Sequence, residues 1–434
     1  MTEIFSIFTQ LLIFLVLFSF PFTPKFLNNS FNLKQTFNII DAHSINIIFF
    51  LYVCLLFSFT NIDLKIFFRI YFLLSIGFII LNFKNFNLNF DISRLFIFFL
   101  FLLVISSIFF SIAQNLRLES DGHLWLEKVL IFFNGKDIKL ITNVPTHPEY
   151  PHLGSYLWAF FWKNSILELE YFGRFFQPYF YVLSIFLVIN SLNFENKNFK
   201  IFFTLFFILI TYDSYLFSGY QEYLIFTTLI IASRYIFLID FKKKVNSGLV
   251  FLIILILYIN SWFKDEGVVY YVIFSSLLII FLNKSLKIKI YFFCLIFSLF
   301  FLQYLLQKYF IGLHGFPHNN LLLIFSELSN LKFLFIKIFK IILGFVISFI
   351  KYPLWIIVLI SALFHVFFIK KLEIVSKYLI SCLILNFGFI MTIFLSFNQY
   401  EWYIRVTLDR LLFQTSGFYL IFFLIILKNL KIFK

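Results

Sequence analysis

Residues 95–113 read LFIFFLFLLVISSIFFSIA, without one Lys, Arg, Asp or Glu. A helix needs about 20 apolar residues to cross about 30 Å of hydrocarbon, and this run is continuous rather than alternating, which argues against a membrane β-barrel. Residues 291–302 and 411–427 are equally free of charge. The same character extends over the chain: 62% of its 434 residues are hydrophobic and 13% charged, with mean hydropathy +0.96. A water-soluble domain of this length cannot hide so much apolar surface, because part of each helix must face water. The fold expected is therefore all-α, a polytopic transmembrane helix bundle.

Spans are expected near 5–22, 46–60, 66–82, 95–113, 171–191, 199–212, 222–239, 248–263, 267–283, 291–311, 354–369, 378–396 and 411–428, about 13 in all. The short links around Asp240–Lys244, Lys284–Lys289, Lys370–Lys377 and the tail at 429–434 are basic. Basic links favour the cytoplasm. That places 114–170, 213–221, 264–266, 312–353 and 397–410 on the opposite, outer face. The parity requires 331–350, interrupted by Lys332, Lys337 and Lys340, to lie within a helix at 320–350 along the outer interface rather than to cross. Five of the 21 acids (Asp41, Asp91, Glu195, Asp240 and Glu373) fall on the cytoplasmic side, and nearly all the others sit in or beside the outward loops. That imbalance marks the outer face as the one with polar work to do.

The net charge of +14 comes from lysines scattered between spans, so it reads as topology and not as nucleic-acid binding. Cys54, Cys294 and Cys382 lie in apolar runs without metal spacing and read as buried small hydrophobes. The 74 Phe residues, accompanied by abundant Ile, Leu, Asn and Lys, reflect A/T-rich codons more than an aromatic binding surface. The start, MTEIFSIF, lacks the basic segment and cleavage site of a removable signal peptide.

Four outward features carry candidate chemistry. Glu119, Asp121, His123 and Glu127 crowd the start of the 114–170 loop. A carboxylate at that depth is partly desolvated, which raises its pKa and suits it as a base; alternatively Asp121 caps the helix HLWLEKVLIFF. Next, the rigid turn Thr146-His147-Pro148-Glu149-Tyr150-Pro151-His152 precedes a short amphipathic helix at the interface, with Tyr156, Trp158 and Trp162 as an aromatic belt. His147, Glu149 and His152 offer ligands for a divalent metal, although the prolines break the usual helical spacing. The third feature is Phe263-Lys264-Asp265-Glu266-Gly267, a polar break between apolar runs in which Lys264 suits an anionic phosphate and Glu266 orients or pairs. The fourth is Gln399–Arg410, where Arg405 and Arg410 suit phosphate through the guanidinium fork. Arg174 behind Glu168 and Glu170, and Asp213 with Glu222, read as ion pairs. There is no P-loop, GxSxG elbow or Rossmann glycine pattern, which argues against ATP-driven or serine-hydrolase chemistry.

Taken in order, Ser120-Asp121-Gly122-His123, the 147–154 turn, Lys264-Asp265-Glu266-Gly267 and Leu408-Asp409-Arg410-Leu411 resemble the GT-C superfamily of polytopic glycosyltransferases. Protein O-mannosyltransferases and aminoarabinose transferases are among its members. The resemblance covers residues 95–428, with 1–94 as additional N-terminal transmembrane helices, and departs from the family in lacking an adjacent pair of acids at the start of the first outer loop, where only Glu119-x-Asp121 stands. It implies a multi-pass protein of a bacterial inner membrane with its site on the periplasmic side, a polyprenyl-phosphate-linked sugar donor, and a lipid, glycan or protein acceptor. It further implies Asp121 as the base or acceptor-orienting carboxylate. Lys264 and Arg410 would hold the donor phosphate, with Glu119, His123, His147, Tyr150, His152, Glu266 and Arg405 lining the site. Two other readings are an O-antigen-type polymerase or ligase and a lipid-linked-sugar flippase or other transporter. The first usually carries its largest outer loop late in the chain, and the second usually shows internal repeats with charges at mid-membrane.

Overall fold

The computed structural model describes residues 2–31, 37–86, 92–114, 118, 120–191, 197–212, 216, 218–243, 245–313, 331–368, 373–397 and 399–429. Among these residues the chain is all-helical, with no strand. Eight helices are long and apolar enough to cross a membrane: Ile39–Ser58, Leu64–Asn85, Phe96–Ala113, Glu170–Asn190, Leu286–Ile311, Leu331–Lys351, Ile374–Leu395 and Tyr400–Leu427. Shorter apolar helices such as Glu3–Leu17, Ser247–Trp262 and Pro353–Phe367 fill the bundle between them.

The outside of the bundle is greasy. Ile290, Phe297, Phe301, Phe335, Phe339 and Ile347 are all exposed. Backbone polar groups are satisfied within helices, so such faces are at home in hydrocarbon. Much of the aromatic excess goes into the core, as where Phe18 packs edge-on to Phe50 at 5.3 Å and lies 5.3 Å from Tyr179. Cys54 and Cys382 are buried as expected, but Cys294 is exposed, on a helix with little of its length inside the bundle.

Contacts between helices sort their ends onto two faces. At one end Arg234 binds Asp41 and reaches Ser191 Oγ at 3.3 Å, Asn283 donates to the Lys242 carbonyl at 3.0 Å, and Lys284 reaches Ser247 at 3.1 Å. The basic links 240–244 and 284–289 therefore share that end. The other end gathers the starts of the Glu222–Phe237 and Asp265–Phe281 helices with the 120–175 segment.

The helix Leu331–Lys351 was expected to lie flat along an interface. It instead runs alongside the terminal helices in constant register. Lys340 binds Glu401, Ser348 and Lys351 bind Asp409, the Trp355 indole donates to the Leu412 carbonyl, and His365 meets the Phe422 carbonyl, each pair 57 to 61 positions apart. A fixed offset means parallel chains. Leu331–Lys351 and Pro353–Phe368 thus continue in one direction, and the chain does not turn back at Tyr352-Pro353. The remainder of the 320–350 segment, residues 320–330, lies outside the described residues.

The helix Leu153–Lys163 also differs from expectation. Every residue from Leu153 to Phe161 is buried, Tyr156 and Trp158 included, and Trp162 is half-buried. A helix apolar on all sides is driven into the core rather than onto a surface, so it packs against the Ser120–Phe133 and Ile39–Ser58 helices and does not form an aromatic belt.

Candidate functional site

Glu222 opens the Glu222–Phe237 helix and is completely buried. Its Oε1 receives Lys264 Nζ at 3.0 Å and Arg410 Nε at 2.7 Å, with Arg410 Nη2 on the same oxygen. Its Oε2 is buried with no hydrogen-bond partner among the described residues. Lys264 also lies 3.7 Å from Glu266, and the Arg410 guanidinium sits 4.6 Å from the centre of the Tyr220 ring. A buried carboxylate between two cations is the arrangement that avoids an isolated charge in a low dielectric.

Local sequence explains the positions. Residues 259–264 close a tight turn, and an added Cβ at Gly267 would meet the Asn260 carbonyl oxygen at 2.0 Å. Only glycine lets the Asp265–Phe281 helix start so close to that turn. Arg410 and Arg405 are five positions apart on one helix, hence about 140° apart around it. Arg410 faces Glu222, while Arg405 is exposed and acts electrostatically on Glu401. Sequence reasoning grouped the two arginines; the helix separates them.

The 147–152 turn joins the same end through Lys128. Trp125, Lys128, Val129 and Phe132 form one buried stripe of the Ser120–Phe133 helix, placing an amine on an apolar face. Lys128 Nζ donates to the Tyr150 carbonyl at 2.7 Å and the Pro148 carbonyl at 3.3 Å. Burial pulls this amine down to about 7, against the opposing pull of Asp265, Glu149 and Glu127. Asp265, the first residue of its helix, is pushed up to about 7 by burial first and by Glu266 second, with Lys128 opposing. Lys128, Glu149, Lys264, Asp265 and Glu266 thus form one electrostatic group.

The turn itself is strained. His147 has φ of 49°, left-handed for a residue before proline. Its ring stacks on Tyr150 at 4.7 Å, and its Nδ1 meets Glu149 at 3.0 Å. His152 faces elsewhere: its Nε2 meets Ser58 Oγ at 2.8 Å among Phe59, Phe132 and Trp262, and burial lowers it to about 3, the neutral form. His147 and His152 therefore do not converge on one ion with Glu149. Among the described residues no group of three or more His, Cys, Asp or Glu is placed to hold a metal.

Asp121 lies in the first turn of the Ser120–Phe133 helix rather than capping it, and its side chain, with all of Glu119, lies outside the described residues, as does Asp213. The backbone beside Asp121 is placed, however. A Cβ at Gly122 would lie 2.5 Å from the Ser218 carbonyl oxygen, so this helix start abuts the loop leading to Tyr220 and Glu222. His123 is exposed. Arg174 closes the expected ion pair, binding Glu170 through Nε at 2.8 Å and Nη2 at 3.0 Å.

Three of the four sequence features thus meet at one end, and the fourth touches it through Gly122. Glu222, Lys128 and Asp265 were not singled out as site residues. For Lys128 a signal existed in the sequence, a charge at helical spacing among Trp125, Val129 and Phe132. In comparisons with known proteins, no family model, no curated protein and no solved structure matches this chain.

Proposed function

We propose that the chain is a multi-pass membrane glycosyltransferase that moves a sugar from a polyprenyl-phosphate donor to a lipid, glycan or protein acceptor. The observation carrying this reading is the meeting of Lys264 and Arg410, 146 positions apart in sequence, on the single buried carboxylate of Glu222. Two cations share one carboxylate oxygen at the end of a helix bundle, where a lipid-borne phosphate has its head while its tail stays in hydrocarbon. In this reading the phosphate competes with Glu222 for the two cations, which stabilise the charge that develops on it as the sugar departs. Asp121 takes the proton of the acceptor hydroxyl, from a helix start that abuts the Tyr220–Glu222 loop.

About 13 crossings fit this reading. Leu331–Lys351 and Pro353–Phe368 run in one direction and add a single passage, so the charged end keeps one sidedness. The basic links at the opposite end favour the cytoplasm, and the charged end then faces outward, across a bacterial inner membrane.

The test is transfer in proteoliposomes from a radiolabelled polyprenyl-phosphate hexose. Asp121→Asn should insert normally and lose transfer, and Lys264→Ala or Arg410→Ala should raise KM for the donor. Wild-type activity in Asp121→Asn removes that residue from the mechanism. Movement of intact donor across the bilayer without transfer replaces the enzyme with a transporter.

A further inference from the structure

The end of the bundle opposite the charged cluster holds a cavity of about 220 Å³. It lies among Leu15, Phe22, Ile79, Phe83, Phe98 and Leu183, with Ser19, His43 and Asn46 as its polar members, and no Lys, Arg, Asp or Glu lines it among the described residues. A dry apolar cavity of about 150 Å³ is enough to bind benzene, so this one has room for a substantial guest.

Its polar groups are unequally engaged. Ser19 Oγ donates to the Leu15 carbonyl at 2.5 Å, and the Asn46 side chain accepts from Phe22 N at 2.8 Å and donates to the Phe22 carbonyl at 3.1 Å. His43, one of the lining residues, uses Nε2 on Tyr179 Oη at 2.5 Å, and no hydrogen bond to its Nδ1 is seen among the described residues. When the tyrosine donates, Nδ1 carries the proton; when it accepts, Nδ1 is a bare acceptor. A hydroxyl matches either state, because it both donates and accepts. An ether matches one only, and a carboxylate or phosphate finds no cation among the described lining residues. His43 lies four residues inside the start of the Ile39–Ser58 helix, about 6 Å along its axis.

We propose that this cavity is a binding site for an uncharged long-chain alcohol drawn from the bilayer, with its hydroxyl on His43 Nδ1 and its chain among Phe22, Phe83 and Phe98. The site is separate from the charged end and does not depend on the transferase reading.

The test is photolabelling of the full-length protein in nanodiscs with a diazirine derivative of 1-octanol. Saturable labelling is expected within 39–46 and 79–83, competed at least tenfold better by 1-octanol than by octanoate or octane. Ala42→Trp should abolish it by filling the cavity, as should Ile79→Trp, which fills from the half-exposed wall and spares the core if Ala42→Trp fails to fold. His43→Phe should keep the labelling but erase the preference for alcohol over octane. Labelling that does not saturate, that survives Ile79→Trp, or that octanoate competes equally overturns the proposal.

Discussion

Arg410 Nε lies 2.7 Å from Oε1 of Glu222, a residue 188 positions earlier in the chain. The contact ties the start of one helix to the middle of another at the point where Lys264 also arrives. Removing one member of a buried ion pair costs about 3–5 kcal/mol, because the other charge stays behind. Glu222→Ala should therefore lower the melting temperature in detergent sharply. Arg410→Leu should cost less in the Glu222→Ala background than alone. Strict additivity of the two substitutions would mean that the contact is not energetically coupled.

Stability should pass through a minimum near pH 7. Asp265 has a folded pKa raised to about 7 from 3.8, so between those values the folded state binds the extra proton and stability falls as pH rises. Lys128 has a folded pKa lowered to about 7 from 10.5, so above 7 the unfolded state binds more protons and stability rises. Asp265→Asn should flatten the acid limb and Lys128→Met the alkaline limb, read as melting temperature against pH. A profile that only falls from pH 4 to 10 would contradict the Lys128 assignment, and one that only rises would contradict that of Asp265.

Two glycines make a matched pair. A Cβ at Gly267 would meet backbone of Asn260 at 2.0 and 2.5 Å, whereas one at Gly388 meets nothing within 4 Å. Gly267→Ala should cost about 1–3 kcal/mol or more through overpacking and disturb the Lys264 turn. Gly388→Ala, in the middle of a helix, should be neutral or slightly stabilising. Equal melting temperatures for the two variants would refute the close approach at 260–267.

The parallel register of 340–365 with 401–422 is open to cross-linking. In a background with Cys54, Cys294 and Cys382 replaced, cysteine pairs at 340/401 and 348/409 should form disulfides on mild oxidation, and 351/401 should not. Formation of 351/401 in preference to 340/401 would show that the helix turns back.

The bundle was legible in the sequence because continuous apolar runs have few alternatives, and Lys264 and Arg410 were legible because a charge at the edge of such a run demands a partner. What escaped was which partner. Glu222 follows Tyr220-Gln221 with no spacing that points to residues 264 or 410, and such long-range pairing is set by helix packing alone. The 331–351 helix was misplaced for a related reason. Parity of the basic links and the interruptions at Lys332, Lys337 and Lys340 argued for an interfacial helix, yet Lys337 is buried, donating to the Leu395 carbonyl at 2.8 Å, and Lys340 finds Glu401. Long aliphatic stems carry such charges to a polar partner. His147 and His152 looked like companions from their spacing, but the left-handed backbone at 147 and the Ser58 contact at 152 turn the rings apart.

The stitching of 340–365 onto 401–422 also has a mechanical consequence. Ties at Glu401, Asp409, Leu412 and Phe422 are spread over the length of the terminal helix, so neither partner slides past the other without breaking several at once. The two strands of this rope move as a unit. Arg410 lies between these ties, so its hold on the Glu222 carboxylate is set by the register of the whole pair.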